Sequence, residues 1–274
     1  MKNYEIKNYD KIVKEHYDQV ALKDKDKVSC TMDNDFVRDE ETKFIIKIIK
    51  NYLLEKNNSN IKNINIMDVG CGNGYTIDLI NSNFKDVNIS GLEYNESLLN
   101  LARKKLSNIN VILNSGDIRD KNSFSEIKTD IIVCQRVLIN LLNYKDQKIA
   151  LKNIVNSVNK GGILIFIECL ESGLKALNKA RAEFKLDPLP PAHHNLYISD
   201  NFFNISEIEK YDFSEENQLS THYYVSRVLH QSFIENTGQK FFRNSEFVSF
   251  FTNSLSKNAG HYSPIKFMSF KKIK

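Results

Sequence analysis

The stretch MDVGCGNGYT (67–76) sets Gly70, Gly72 and Gly74 at alternate positions, directly after a short apolar run. Glycine serves where the backbone takes a positive φ or must come into contact with a ligand. A helix starting after such a turn points its free N–H groups and positive dipole end at that ligand. A dinucleotide-binding turn reads G-x-G-x-x-G; here the third glycine comes one residue early, which disfavours a nicotinamide oxidoreductase. Asp68 also stands two residues before Gly70. A carboxylate there repels a pyrophosphate and suits a ligand carrying an ammonium or sulfonium.

Two more acids follow at comparable places. Glu93 ends the apolar run VNISGLE (87–93), where a carboxylate can accept both hydroxyls of a ribose. Tyr94 comes next and can lie against an adenine ring. In SGDIRD (115–120), Asp117 can accept from an adenine amino group.

Such residues need a scaffold that brings strand ends to one edge. The pattern over 61–168 predicts strands at 64–69, 87–93, 109–114, 129–135 and 163–168. Between them lie helical spacings, such as Leu98, Leu99, Ala102 and Leu106, with Asn95 or Ser97 as cap. The helix before the fifth strand is expected to stop at Gly161-Gly162. Nearly continuous apolar strands alternating with helices mean a parallel sheet covered on both faces. Further strands are expected at 206–213 and 264–270, with helices in THYYVSRVLHQSFI and NSEFVSFFTNSL.

Taken in order, MDVGCGNG, GLEYNES and SGDIRD resemble the class I S-adenosylmethionine-dependent methyltransferases, over about residues 60–170. The resemblance implies an α/β, doubly wound, Rossmann-like seven-stranded sheet with its last strand antiparallel. It also implies S-adenosyl-L-methionine as cofactor: Asp68, Gly70 and Gly72 cradle the methionine part, and Glu93 holds the ribose. Asp117 and Ile118 border the adenine, and Gln135 faces the methionine end and the acceptor. LNKARAEFKLDPLPPAHHNLYISD, STHYYVSRVLH and GHYSPIKFMSF are similar to a bacterial small-molecule branch of that class. That branch has an elaborated C-terminal half and an N-terminal cap, and many members sit among genes for surface polysaccharides or small secondary products. The division expected is a helical cap over 1–58 and a methyltransferase domain over 59–274, with lid and acceptor-binding helices in 170–260. Tyr17 and Arg38 lie in the cap, where an aromatic and a cation can close over the cofactor carboxylate.

Ligands of open α/β sheets bind beyond the carboxyl ends of the strands, so acceptor candidates follow the later strands. Arg136 and Asn140 come after the fourth. On the helix after Glu168, Leu174, Asn178 and Arg181 share a face. PLPPAHHNLYISD (188–200) holds three of the four prolines beside His193 and His194. Adjacent residues tend to point apart and no carboxylate or Cys cluster stands at ligand spacing, so no metal is expected; Asp187 and Asp200, which flank the loop, are the residues that leave one open. The loop either turns a corner or presents one histidine, His194, as a base, with Asn195 and Tyr197 at the acceptor. Tyr223, Tyr224 and Arg227 on a late helix either line that pocket or simply pack. His16, His222, His230 and His261 have no motif around them.

A neutral hydroxyl acceptor needs a general base. An anionic oxygen instead needs a clamp such as Arg136, Arg181 or Arg227. The residues leave both open. The expected activity is O-methylation of a small polar acceptor: a sugar, a nucleotide-linked or a phosphorylated intermediate. The alternatives are a nucleic-acid methyltransferase and a cofactor-binding partner subunit without catalysis. A net charge of +4 over 274 residues, with both signs interspersed, argues against a nucleic-acid partner. The four cysteines form no CxxC pair and fit a reducing compartment. With no apolar leader and no run near the ~20 residues that span a bilayer, a cytoplasmic monomer or homodimer is expected.

Overall fold

A computed structural model describes residues 9–24, 34–57, 63–124, 128–238 and 245–274. Cys30 and part of the expected cap therefore lie outside the described residues. Seven strands form one sheet: β1 (Ile64–Val69), β2 (Val87–Glu93), β3 (Val111–Ser115), β4 (Thr129–Gln135), β5 (Val158–Cys169), β6 (Ile208–Asp212) and β7 (Ile265–Lys272). The order is β3-β2-β1-β4-β5-β7-β6, with β7 antiparallel to both neighbours. The order steps outward from β1 in both directions, so the ends of β1 and β4, side by side in register Ile66 to Ile131, flank the switch point.

Helices α1 (Tyr9–Asp24) and α2 (Asp35–Asn57) precede the sheet. They do different work. Phe44, Ile45, Ile48, Ile49 and Tyr52 of α2 are buried in the main core, and Phe44 stacks on Phe267 of β7. By contrast α1 packs on α4 (Glu96–Lys105) and borders the cleft described below. Asn95 caps α4 by accepting from the Leu98 N–H at 2.9 Å, and Arg103, Lys104 and Lys105 complement the dipole at its other end. Helices α3 (Tyr75–Asn83), α5 (Tyr144–Asn156) and α6 (Glu171–Glu183) complete the alternation.

One local expectation is corrected. The helix before β5 ends at Asn156, and the strand begins at Val158 and runs through the glycine pair. A Cβ on Gly162 would stand 2.6 Å from the Asp130 carbonyl oxygen, beside the register shift between Thr129 and Ile131. Gly162 therefore serves close strand approach and Gly161 a positive φ of 79°, and neither terminates the helix. At the end of β7 the buried Lys272 ammonium donates to the Val158 carbonyl at 2.7 Å.

After α6 comes the proline loop, which has no regular structure but is pinned at several points. Leu196 N–H donates to the Ile139 carbonyl at 2.7 Å and Ile198 N–H to that of Cys169 at 2.9 Å. Further on, α7 (Ser220–Tyr224), a π-turn (Val225–Leu229) and α8 (His230–Thr237) run on from one another, and α9 (Glu246–Ser254) packs beside them. Among the described residues no helix is long and apolar enough to cross a membrane.

Candidate active site

The carboxyl ends of β1, β2 and β4 open into a cleft with α1 along one side. Asp68, Gly70, Gly72, Glu93, Tyr94, Asp117, Ile118, Gln135, Arg136, Asn140, Tyr17 and Arg38 all line it. The fold thus brings every expected cofactor residue to one place.

The glycine turn is shaped by two constraints. Gly70 (φ 72°) lies so close to Val137 that a Cβ would approach its Cγ2 to 2.4 Å, so only glycine lets the β4 segment close on the turn. Gly74 (φ 81°) starts α3 in the left-handed conformation and lies against Leu106. The Gly72 N–H donates to Glu93 Oε2 at 2.8 Å, and the Asn95 N–H to Glu93 Oε1 at 2.8 Å. A carboxylate has about four acceptor sites, so Glu93 is held by its backbone and keeps acceptor capacity for a diol.

Asp68 and Glu93 are both buried in this cleft. Burial first, then the Glu93 charge, pushes the Asp68 carboxyl up to about 8, while Arg38 works against them. Glu93 is also raised by burial, opposed by its backbone donors. Two buried acids are a site for positive charge, which is what a sulfonium and an ammonium bring. Arg38 lies 5.0 Å over the Tyr75 ring. Burial, then Arg136, lowers its guanidinium to about 10.

Three partnerships were not legible in the sequence. Glu41 of α2, fully buried, accepts from Gln135 Nε2 at 2.6 Å and from Arg136, with Arg38 at 3.9 Å. Arg136 is therefore paired, and its expected role as a free anion clamp is corrected. Burial disfavours its charge but the Glu41 carboxylate more than offsets this, leaving the guanidinium raised. Arg119 binds both oxygens of Asp117 through Nε at 3.0 Å and reaches Tyr9, Asp10 and Asp146. The Asp117 segment and α1 are thus tied by one cation. Glu168, at the end of β5, accepts the N–H groups of Val137 and Leu138 at 2.9 Å each. Its carboxyl is raised by burial to about 7 despite those donors, and it shapes the loop facing Gly70. An acid closing an apolar strand, as at Asp68 and Glu93, was the one available signal for it.

Beside Arg136, Asn195 Nδ2 donates to Asn140 Oδ1 and Asn140 Nδ2 to the Tyr17 hydroxyl, both at 2.9 Å. This chain joins the proline loop, the β4 loop and α1. Tyr197 hydrogen-bonds Cys169, and Arg227 in the π-turn acts on both Tyr197 and Tyr223. These three residues, like His194 and Asn195, are not in the cleft wall. Two other expectations are corrected. Arg181 is buried and its guanidinium donates to the carbonyls of Asp187 and Arg227 and to Gln231. Asn178 makes a reciprocal pair with the Leu189 backbone, at 2.8 and 2.9 Å. Both hold the proline loop and neither reaches the cleft. His194 stacks on His16 at 3.6 Å, and burial, then His16 and His193, lower it to about 4.

Comparison with known proteins now decides the family. Residues 60–219 match the family described as a methyltransferase domain. The chain belongs to that family. Its sheet order and cofactor are those of the class I, S-adenosylmethionine-dependent type. Among solved structures, magnesium protoporphyrin IX methyltransferase from Synechocystis PCC 6803, with bound S-adenosylhomocysteine, aligns at 13% identity. The alignment covers 96% of this chain and 99% of that one, with a TM-score of 0.51. The putative methyltransferase in complex with the Trm112 activator of Haloferax volcanii aligns at 12% identity over 94% and 98%, with a TM-score of 0.53. The amino pentose methyltransferase CalS10 from Micromonospora echinaspora matches at 23% identity and TM-score 0.38, over 46% of this chain and 49% of that one. This chain thus spans about half the length of that structure. No curated protein sequence matches the chain significantly.

Proposed function

We propose that the protein transfers the methyl group of S-adenosylmethionine to an oxygen of a small polar acceptor, such as a sugar or a phosphorylated intermediate. The observation that carries this is the hydrogen-bonded chain Asn195–Asn140–Tyr17, which meets the cleft beside Gln135 and Arg136. Tyr17 and Asn140 provide fixed polar groups in the cleft wall, and Asn195 of the proline loop holds Asn140 from behind. The dispersed charge favours a small acceptor over a nucleic acid.

Bound S-adenosylmethionine supplies an electrophilic methyl on a sulfonium, and the in-line displacement leaves a neutral thioether. Asp68 and Glu93 fit its positive groups and its ribose diol, and Arg38 its carboxylate. The remaining work of the protein is to orient the nucleophile and exclude water. Burial, against donation from Asn140, raises Tyr17 to about 12, so it stays a hydrogen-bond donor to the acceptor and does not act as its base. His194, lowered to about 4, is neutral at pH 7 but a weak base. An oxygen that is already anionic needs no base. The same observation favours a second reading, transfer to an uncharged amine nitrogen.

The experiment is calorimetric titration with S-adenosylhomocysteine, followed by a turnover screen of sugar phosphates, nucleotide sugars and amino sugars read by S-adenosylhomocysteine release. Turnover on hydroxyl or phosphorylated sugars supports the first reading, and turnover confined to amino sugars replaces it with the second. Cofactor binding with no turnover on any class would move the non-catalytic partner role to the front.

A further inference from the structure

His16, His193 and His194 come from two segments far apart in the chain, yet one ring nitrogen from each lies within 4.8 Å of the others. His16 and His194 stack nearly parallel with centroids 3.6 Å apart, and His193 stands edge-on to them at 5.7 and 5.0 Å. Nδ1 of His194 is buried without a hydrogen-bond partner. A buried ring nitrogen ordinarily has one, and its absence asks for a ligand. Three imidazoles crowded together, with no carboxylate in the cluster among the described residues, repel one another as soon as more than one is protonated.

We propose that His16, His193 and His194 form a binding site for a divalent ion of the zinc class, joining α1 to the proline loop. Neutral imidazole suits Zn²⁺, Co²⁺, Ni²⁺ and Cu²⁺ and does not suit the hard, oxygen-seeking Mg²⁺ or Ca²⁺. Burial holds His16 and His194 below the ordinary histidine range, so both are in the ligating form at pH 7. Lone pairs lie in the ring planes, so ligation turns the two stacked rings out of parallel. His16 does this by side-chain rotation, while Pro188, Pro190 and Pro191 stiffen the loop. Three protein ligands leave a fourth tetrahedral position for water. The site sits beside the acceptor end of the cleft: Tyr17 follows His16, Asn195 follows His194, and Asn140 bonds both. A bound ion clamps the same two segments that this chain of hydrogen bonds joins.

The test uses full-length protein without an affinity tag, stripped with a chelator and titrated with Zn²⁺ against a chromophoric competitor, and with Co²⁺ by visible absorption. One equivalent is expected, at a Kd of about 1 µM or tighter at pH 7.5, with tetrahedral Co²⁺ bands. His193→Gln, at an exposed position, and His16→Gln should each weaken binding at least about 30-fold. Zn²⁺ at about 100 times Kd should raise the Tm of the wild type by about 5 °C or more, and not that of the variants. Binding weaker than about 100 µM, or binding that both substitutions leave unchanged, overturns the site. A cluster that responds to pH but takes no metal overturns it in favour of a proton-sensitive contact. Calorimetry with S-adenosylhomocysteine on the stripped protein is a separate readout, so failure of the metal site leaves the methyltransferase reading standing.

Discussion

Removing the Glu93 carboxylate tests the cofactor geometry most directly. Two of its acceptor sites are filled by the Gly72 and Asn95 N–H groups at 2.8 Å, which leaves about two for the ribose hydroxyls. A hydrogen bond to a charged group contributes about 1.5–3 kcal/mol net. Two of them, discounted because water partly resolvates the freed hydroxyls in the open cleft, give about 2–3 kcal/mol. That is roughly a 30- to 150-fold loss of affinity at about 1.4 kcal/mol per tenfold. Glu93→Gln is expected to be no milder than Glu93→Ala. Its single oxygen can serve one backbone donor, and its NH₂ then faces the other N–H. The assay is calorimetry with S-adenosylhomocysteine, with circular dichroism confirming the fold. A cycle with the 2′-deoxyribose analogue completes it: the analogue should bind worse than the parent to wild type and equally to Glu93→Ala. A well-folded Glu93→Ala protein whose affinity stays within about threefold of wild type would refute the ribose assignment.

Other outcomes follow from the same structure. Asp68, at about 8, must ionise to pair with a cationic ligand, so S-adenosylhomocysteine affinity should rise up to about tenfold per pH unit between pH 6 and 8. Asp68→Asn should flatten that slope, and an equally steep slope in the variant would remove Asp68 as its source. Since this pKa is raised on folding, stability of the free protein is full below about pH 4 for this group and is lost as pH climbs through 8. Thermal unfolding from pH 5 to 8.5 should show the decline, and Asp68→Asn should lessen it. Arg181→Ala should lower stability by about 1–3 kcal/mol, because three part-buried acceptors lose the guanidinium that joins the proline loop to the π-turn, while acceptor KM changes little. A raised KM with unchanged Tm would return Arg181 to the pocket. Gly70→Ala should unfold the turn through both its φ of 72° and the Val137 contact, and Val137→Ala should rescue it only in part. Full rescue would mean that the contact alone matters.

What the sequence by itself determined is the local grammar of the βα units. The strands at 64–69, 87–93 and 129–135, the glycine turn and the acids Asp68, Glu93 and Asp117 were all legible. Apolar runs covered on both faces, a turn needing positive φ and an acid at a strand end are each written within a few neighbouring residues. Asn95 was readable as a cap for the same reason. Tertiary structure alone decided who meets whom. Glu41 reaches Arg136 across 95 positions, and Tyr9 meets Arg119 across 110. The helix carrying Arg181 is legible from its spacing, but its facing partner, the π-turn around Arg227, is not. His16 had no motif because its partners lie on a loop whose path is set by distant anchors at Ile139 and Cys169. Local periodicity specifies which face of an element is buried. Which face it is buried against depends on the packing of the whole chain, and that is where the charge pairs and the histidine cluster were made.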